Sequence, residues 1–280
     1  MKERKKNKGD VMNGLSFVLE TPYIVNFRKP YSTITLLSFP FPPFTTIRGL
    51  IASAMGMGDL SINRDAYNKE LNDLQISLKP LNLPDRFFDM VLMKKLKSNL
   101  KAGSKKPNEN TVMSKLKKNN WDLSKLNNKE IEIYRCLEYP RSTSAPFVKE
   151  YVSPIRCKIY LKGEQTLLNE ISLALANLPR PLYIGASDDF VIISELTTED
   201  FTPAKSRLID SVVRVDNETY PINKKLIVGR VPYRFVEYGT KKKRDYFRED
   251  WIIAAPKAGE RVELNKEIDC YRAGNEYIAF

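Results

Sequence analysis

Histidine is absent from the 280 residues of this chain. That absence excludes Ser-His-Asp and Cys-His catalysis, an imidazole acid–base pair and imidazole-built zinc sites. Catalysis, if any, falls to lysine, tyrosine, carboxylates or a hard metal ion. The carboxylates do not cluster for such an ion; Asp188-Asp189 comes nearest and reads as a turn. No cofactor and no metal are expected. Cysteine is scarce too. Cys136, Cys157 and Cys270 are odd in number and far apart, so they form neither a disulfide framework nor a CxxC spacing. Each reads as a small core residue. No run approaches the roughly 18 consecutive apolar residues of a membrane span. Met1–Gly9 is charged and lacks the apolar stretch of a signal peptide, so it reads as a mobile basic arm. A cytoplasmic protein with no membrane partner is expected.

What the chain has is positive charge. Lys+Arg is 46 against Asp+Glu 34, a net charge of +12. An excess of that size favours a polyanion: nucleic acid first, an acidic membrane surface second. Hydrophobic residues make up 42%, which supplies a real core and excludes a disordered chain.

The charge is unevenly spread. Between 91 and 129 only Glu109 and Asp122 are acidic, while lysines recur from Lys94 to Lys129. The stretch 101–110 reads as a flexible loop. Leu92, Met93, Leu96, Leu100, Val112, Met113, Leu116 and Trp121 are interleaved with the lysines, which argues for partial helical order with a basic face. This region, about 89–149, reads as an insertion projecting from a core.

On either side the pattern is α+β. A strand is expected at 15–20, then extended segments over 23–37, a helix at about 46–57, a second at 65–75 and an extended 76–81. After the insertion, Ile155–Leu161 alternates at period two, as a half-buried strand does. Leu167, Leu168, Ile171, Ala174, Leu175 and Leu178 mark an amphipathic helix stopped by Pro179-Arg-Pro181, and Phe190–Ser194 is the next strand. A short linker is expected near 196–210. Beyond it come short strands, among them 231–238 and 247–255 flanking a tetrabasic tip, Lys241, Lys242, Lys243 and Arg244. That tip suits phosphate contacts and equally suits keeping an exposed edge soluble. The order fits two related α+β halves, or one ferredoxin-like unit with a β-rich extension.

One stretch is more specific than the rest. Phe39-Pro-Phe-Pro-Pro-Phe-Thr-Thr-Ile-Arg-Gly-Leu-Ile-Ala-Ser-Ala-Met-Gly-Met-Gly58 is a proline-stiffened loop running into a short helix. Thr45 or Thr46 is expected as N-cap. Ile47, Leu50, Ile51, Ala54 and Met55 form one apolar stripe, and Gly56 and Gly58 end it as a left-handed cap would. Arg48 falls in the expected first turn, where the macrodipole disfavours a cation. It reads either as half of an anion site, with phosphate the obvious ligand, or as a solvated or carboxylate-paired side chain.

Pro40–Gly56, with Tyr23–Pro30 upstream, resembles the N-terminal signature of the fifth CRISPR-associated (Cas) protein family, within the RAMP superfamily. Glu150-Tyr-Val-Ser-Pro154, followed by a strand, a helix and Pro181-Leu-Tyr-Ile-Gly-Ala-Ser-Asp188, is similar to a later block of that family. The resemblance covers about 14–195. It implies an arm at 1–13, a ferredoxin-like (RRM-type) palm at 14–195 with the basic insertion as thumb, and a β-rich region at 196–280. It also implies a role: a subunit of the type I complex Cascade that holds the 5′ handle of crRNA, caps the backbone-subunit filament and contacts the large subunit near the PAM of target DNA. One subtype of the family cuts precursor RNA with a histidine. Lacking one, this chain is expected to be non-catalytic.

RNA handles are bound by phosphate contacts and by stacking of splayed bases. The expected RNA-binding residues are Arg28, Lys29, Tyr31, Phe44, Thr45, Thr46, Arg48, Lys149, Tyr151 and Ser187. Core packing for Phe44 and Tyr151, and solvation for Arg28 and Lys29, are the plain alternatives. Two other functions compete. One is a histidine-independent endoribonuclease using Lys29, Tyr31, Lys149 and Tyr151. The other is the equivalent subunit of a type III complex.

Overall fold

A computed structural model describes residues 12–29, 35–57, 71–96, 109–138, 142–178, 180–184, 189–240 and 243–280. It is a mixed α+β chain, rich in sheet, that divides into two compact units. The first holds the described residues of Met1–Thr33, Leu37–Phe87 and Glu150–Phe280; the second holds those of Ile34–Leu36 and Phe88–Lys149.

The first unit is built on strands β1 (Met12–Thr21), β3 (Gln75–Pro80), β6 (Ile155–Lys162) and β8 (Phe190–Ile209). Helix α1 (Phe44–Ala54) follows β1, and helix α4 (Gln165–Ala176) follows β6. The chain order is therefore strand, helix, strand, strand, helix, strand. In space the strands run β3-β6-β1-β8, and every neighbouring pair is antiparallel. Alternation sends Leu15, Phe17 and Leu19 of β1, Cys157, Ile159 and Leu161 of β6, and Ile76 and Leu78 of β3 into one core. The helices cover that core with Ile47, Leu50, Ile51 and Ala54 from α1 and Leu168, Ile171 and Leu175 from α4. Each large aliphatic side chain so buried contributes roughly 1.5–3 kcal/mol.

Several sequence expectations are met by strands and helices within a few residues, including Ile155–Lys162 and the helix before Pro179. Others need correction. Met12 and Asn13 belong to β1, so the arm ends before 13; its residues 1–11 lie outside the described ones. The linker expected near 196–210 is a strand: β8 runs unbroken for 20 residues across the boundary expected at 195/196. Its first half pairs with β1, and its second with β12 (Val262–Ala273), which in turn pairs with β13 (Glu276–Ile278). The apolar alternation of 190–194 fades beyond it because β8 is mostly exposed there, and a polar strand does not read as one. Of the helix expected at 65–75, residues below 71 lie outside the described ones; Leu71 is helical and Gln75 already starts β3.

A two-residue strand, β7 (Leu182–Tyr183), pairs with β8. A second sheet of the first unit runs β10-β11-β9, from β9 (Val213–Arg214), β10 (Leu226–Thr240) and β11 (Lys243–Pro256). The hairpin expected from 231–255 is present and longer, with Thr240 opposite Lys243. Lys243 and Arg244 thus belong to β11 rather than to a free tip; Lys241 and Lys242 lie outside the described residues.

A third sheet runs β2-β5-β4, from β2 (Thr35–Leu36), β4 (Asp85–Leu96) and β5 (Ser142–Ser153); β2, β4 from Phe88 onward and β5 up to Lys149 belong to the second unit. Helices α2 (Glu109–Lys118) and α3 (Asn128–Glu138) pack Val112 and Leu116 with Leu126, Ile131 and Tyr134. A capping box starts α3: Asn127 Oδ1 accepts from Glu130 N at 2.9 Å, and Glu130 Oε2 accepts from Asn127 N at 2.8 Å. Lys115 Nζ donates to the same carboxylate at 2.7 Å and, with the backbone donor of Asn127, holds Glu130 below the usual carboxylate range. Lys117, Lys118, Lys125 and Lys129 stay exposed, as does Trp121.

Candidate nucleic-acid interface

Helix α1 begins two residues earlier than its threonines suggest. Pro43 is its N-cap, no side chain caps it, and Pro43 O accepts from both Thr46 N and Ile47 N. The C-terminus is as expected. Gly56 has φ +69°, Gly56 N donates to Ser53 O at 3.2 Å, and Met57 N donates to Ala52 O at 3.0 Å, a Schellman closure.

The early start places Arg48 one turn inside the helix, and its side chain turns into the protein. Arg48 is 1% exposed. Its Nε donates to Leu71 O at 3.2 Å, Nη2 to Leu74 O at 2.8 Å and Nη1 to Tyr233 O. The guanidinium lies 4.7 Å from the Tyr233 ring centroid. Tyr233 stacks on Trp251 at 3.4 Å and 9°, and Arg214 lies 5.1 Å from the Trp251 ring centroid. Phe44 meets Tyr233 edge-on at 5.5 Å. Arg48 and Phe44 are therefore not surface groups for RNA, which corrects both expectations. The rigid five-donor fork of arginine ties α1 to the turn before β3 and to β10. Beside this stack Glu249 Oε2 accepts from Arg234 at 2.7 Å and Oε1 from Trp251 Nε1 at 3.0 Å. Burial raises the Glu249 carboxyl, but these two donors and the Arg234 charge outweigh it and hold it low.

On the sheet face not covered by helices, Lys162 Nζ lies 3.9 Å from the Tyr271 ring centroid and three other cations are paired with carboxylates. Lys158 Nζ lies 3.2 Å from Glu199 and 3.8 Å from Glu276; Lys79 Nζ lies 2.7 Å from Glu276 and 3.9 Å from Asp210. Arg156 pairs with Glu20 and Glu195. Tyr160, buried, donates its hydroxyl to Glu276. Aromatic residues fill the centre: Phe201 lies 5.2 Å from Phe280, 6.2 Å from Tyr271 and 6.4 Å from Tyr160. Gly14 makes room for them, since a Cβ there falls 1.9 Å from Phe201 Cε2.

A cavity of about 380 Å³ opens elsewhere, wholly within the first unit. One wall is the edge strand β10, residues 227–232, with Arg248, Asp250 and Ile253 of β11; the other is Lys29, Leu37, Phe39, Pro40, Phe41 and Arg86. The second wall is held by backbone pairing: Lys29 N donates to Leu37 O at 2.8 Å and Phe39 N to Phe27 O at 2.9 Å. Buried Glu150 anchors it. Its Oε2 accepts from Ser38 N at 2.8 Å, its Oε1 from Arg86 Nη1 at 3.0 Å, and its carbonyl from Asn26 Nδ2 at 2.6 Å. Among the described residues the lining carries four cations, Lys29, Arg86, Arg230 and Arg248, against one carboxylate, Asp250. Arg248 forks onto Asp250 at 2.5 and 2.8 Å. Exposed Arg230 has no carboxylate partner among the described residues. A concave site of this size, apolar walls with a few directed charges, can hold part of an anionic ligand.

Of the expected RNA-binding residues that are described, Lys29 alone lines this cavity. Arg28 is exposed and bridges Ser38 through the backbone. Thr45 and Thr46 are half-buried on α1, and Tyr151 is half-buried in β5. Lys149 belongs to the second unit, opposite Leu36. Tyr31, Ser187, Lys241 and Lys242 fall outside the described residues, as do the side chains of Lys243 and Arg244. Sequence reasoning missed Arg86, Arg230, Arg248 and Gly229. The signal available was a glycine inside an otherwise β-branched strand, Ile227-Val-Gly-Arg-Val231. Among the described residues no group of His, Cys, Asp and Glu is placed to hold a metal ion, and no helix is long and apolar enough to cross a membrane.

The proline-rich loop, the Schellman-capped helix and the arginine it buries all fall within a stretch matched by a known family. The model described as CRISPR-associated protein (Cas_Cas5) matches residues 14–219. The chain belongs to this family of CRISPR-associated proteins, the Cas5 family. Comparison with curated proteins gives no match. Among solved structures, the chain is similar to a CRISPR protein from Archaeoglobus fulgidus, with 14% identity over 95% of this chain and 98% of that one and a TM-score of 0.49. It is similar to a chain of a CRISPR RNA-guided surveillance complex, with 11% identity over 89% and 91% and a TM-score of 0.46. A chain of a type III-B Cmr-beta complex gives 11% identity over 89% and 86% and a TM-score of 0.36.

Proposed function

We propose that this protein is a non-catalytic RNA-holding subunit of a CRISPR effector complex in the cytoplasm. It binds the 5′ handle of crRNA, caps the backbone-subunit filament and contacts the large subunit near the PAM of target DNA. Family membership supports the CRISPR assignment, and the absence of histidine supports a holding rather than a cutting role. The order strand, helix, strand, strand, helix, strand, with spatial order β3-β6-β1-β8, supports reading the palm as ferredoxin-like. The lysine-rich second unit is then the thumb.

The observation that carries the reading is the cation excess of the cavity along β10, whereas Lys79 and Lys158 on the helix-free face of the large sheet are paired with carboxylates. Single-stranded RNA binding through phosphates loses about 0.7 in the salt slope of log K for each contact removed. Replacing Lys29 and Arg230 together by glutamine is expected to flatten the slope by about 1.4. Co-expression with the neighbouring genes and sequencing of the copurified RNA tests the reading directly. A defined 5′ repeat fragment is expected; random cellular RNA overturns it.

A further inference from the structure

We infer that the cavity along β10 receives one nucleotide turned out of the bound strand, and that Gly229 is the residue that keeps it open. The inference rests on the RNA-holding role proposed above. Gly229 lies in the interior of β10, opposite Ile253. A glycine there weakens a strand, because it packs nothing and frees the unfolded chain. The usual reasons for a glycine do not apply. Its φ is not in the left-handed region, and a Cβ built on it meets no atom within 4 Å. Gly14 is the contrast, since crowding by Phe201 demands it. Gly229 lines the cavity together with Ile227 and Val231, which share its face of β10, and with Ile253 opposite it. A strand glycine with nothing against it is what the close approach of a ligand to the backbone requires.

The walls say what approaches. Leu37 is 36% exposed and lines the cavity, as does Ile227, which shares the Gly229 face of β10. They offer apolar surface to the flat face of a base. Arg230 and Lys29 border the same space and suit the phosphates on either side. The volume of about 380 Å³ takes one nucleotide and not a run of stacked bases. An extended acidic peptide added to the β10 edge is the rival occupant. It would use the strand's backbone groups but leave the apolar slot unfilled, and the slot favours the nucleotide.

The test uses the full chain and an eight-nucleotide RNA copied from the neighbouring CRISPR repeat, with 2-aminopurine substituted at each position in turn. At one position the fluorescence is expected to rise severalfold on binding, as the base leaves its neighbours. Gly229→Val is expected to abolish that rise and weaken binding about tenfold, because it fills the slot. Its Tm should be unchanged or higher, because valine is the better strand former. Gly229→Ala serves as the milder variant if valine does not fold, with a smaller loss in the same direction. If the RNA binds but no position brightens, or if Gly229→Val binds as the wild type does, the nucleotide slot is wrong and the RNA-holding role stands. If octaglutamate displaces the RNA and its binding is the step Gly229→Val blocks, the occupant is a peptide. If no repeat RNA binds at all, the broader reading fails first.

Discussion

On the helix-free face of the large sheet, Lys79 and Lys158 share Glu276, with Glu199 and Asp210 close by. Along β10, Lys29, Arg86, Arg230 and Arg248 surround a cavity with Asp250 as its one carboxylate. The two regions use their cations differently. Ion pairs on the first face satisfy one another, so a phosphate arriving there must first break them, and each is worth little to stability on its own. In the cavity Arg86 pairs with Glu150 and Arg248 with Asp250, while exposed Arg230 has no carboxylate partner among the described residues. Net charge of the chain predicts a polyanion but not where it binds; what locates it is where cations outnumber the carboxylates around them.

Arg48 belongs with the first group, and its replacement gives the largest expected effect. Three buried carbonyls accept from it, so removing the side chain leaves them unsatisfied. Arg48→Met is expected to destabilise by roughly 3–5 kcal/mol, measured by denaturant unfolding. Arg48→Lys should lose much of this too, because an ammonium cannot reproduce the fork. Below the unfolding temperature either variant should bind repeat RNA with the wild-type salt slope. A variant with wild-type stability and a lost phosphate contact would move Arg48 to the second group and break the comparison.

How much of this was legible beforehand follows from what each feature depends on. The loop-to-helix stretch announced itself because prolines, an apolar stripe and a terminal glycine act locally. The same locality misassigned Arg48. Whether a helical arginine faces water or three carbonyls depends on Leu71, Leu74 and Tyr233, and Tyr233 lies 185 positions away. The alternation of Ile155–Leu161 revealed β6 because one of its faces is buried; the outer half of β8 fully buries only Phe201 and Ile209, eight residues apart, and read as a linker. The cavity was least legible. Lys29 and Arg230 are unremarkable surface cations until two distant segments bring them to one space.

The next largest effect tests how tightly the helix-free face is closed. Gly14→Ala drives a methyl group into Phe201, whose ring is hemmed by Tyr160, Tyr271 and Phe280. Overpacking of this kind costs about 1–3 kcal/mol, seen as a lower Tm. An unaltered Tm would mean that the aromatic cluster is loose enough to admit a base, and the contrast between the two regions would weaken.

The smallest effect probes the ion pairs themselves. Burial pushes the Glu276 carboxyl up, but hydrogen bonds from Lys79 and Tyr160 and the charges of Lys79 and Lys158 outweigh it, and its pKa lies below the ordinary value. A carboxylate depressed in the folded state stabilises the protein above its unfolded pKa, about 4.3 for glutamate, and loses that contribution as pH falls through the folded value. Stability should therefore decline on the acid side of that point, and Glu276→Gln should flatten the decline while costing little near neutrality. Binding of repeat RNA at neutral pH should be the same for Glu276→Gln and wild type if the freed lysines remain beside Glu199 and Asp210. A variant that binds RNA more tightly, with a steeper salt slope, would mean that this face is a masked phosphate site, held shut by one carboxylate.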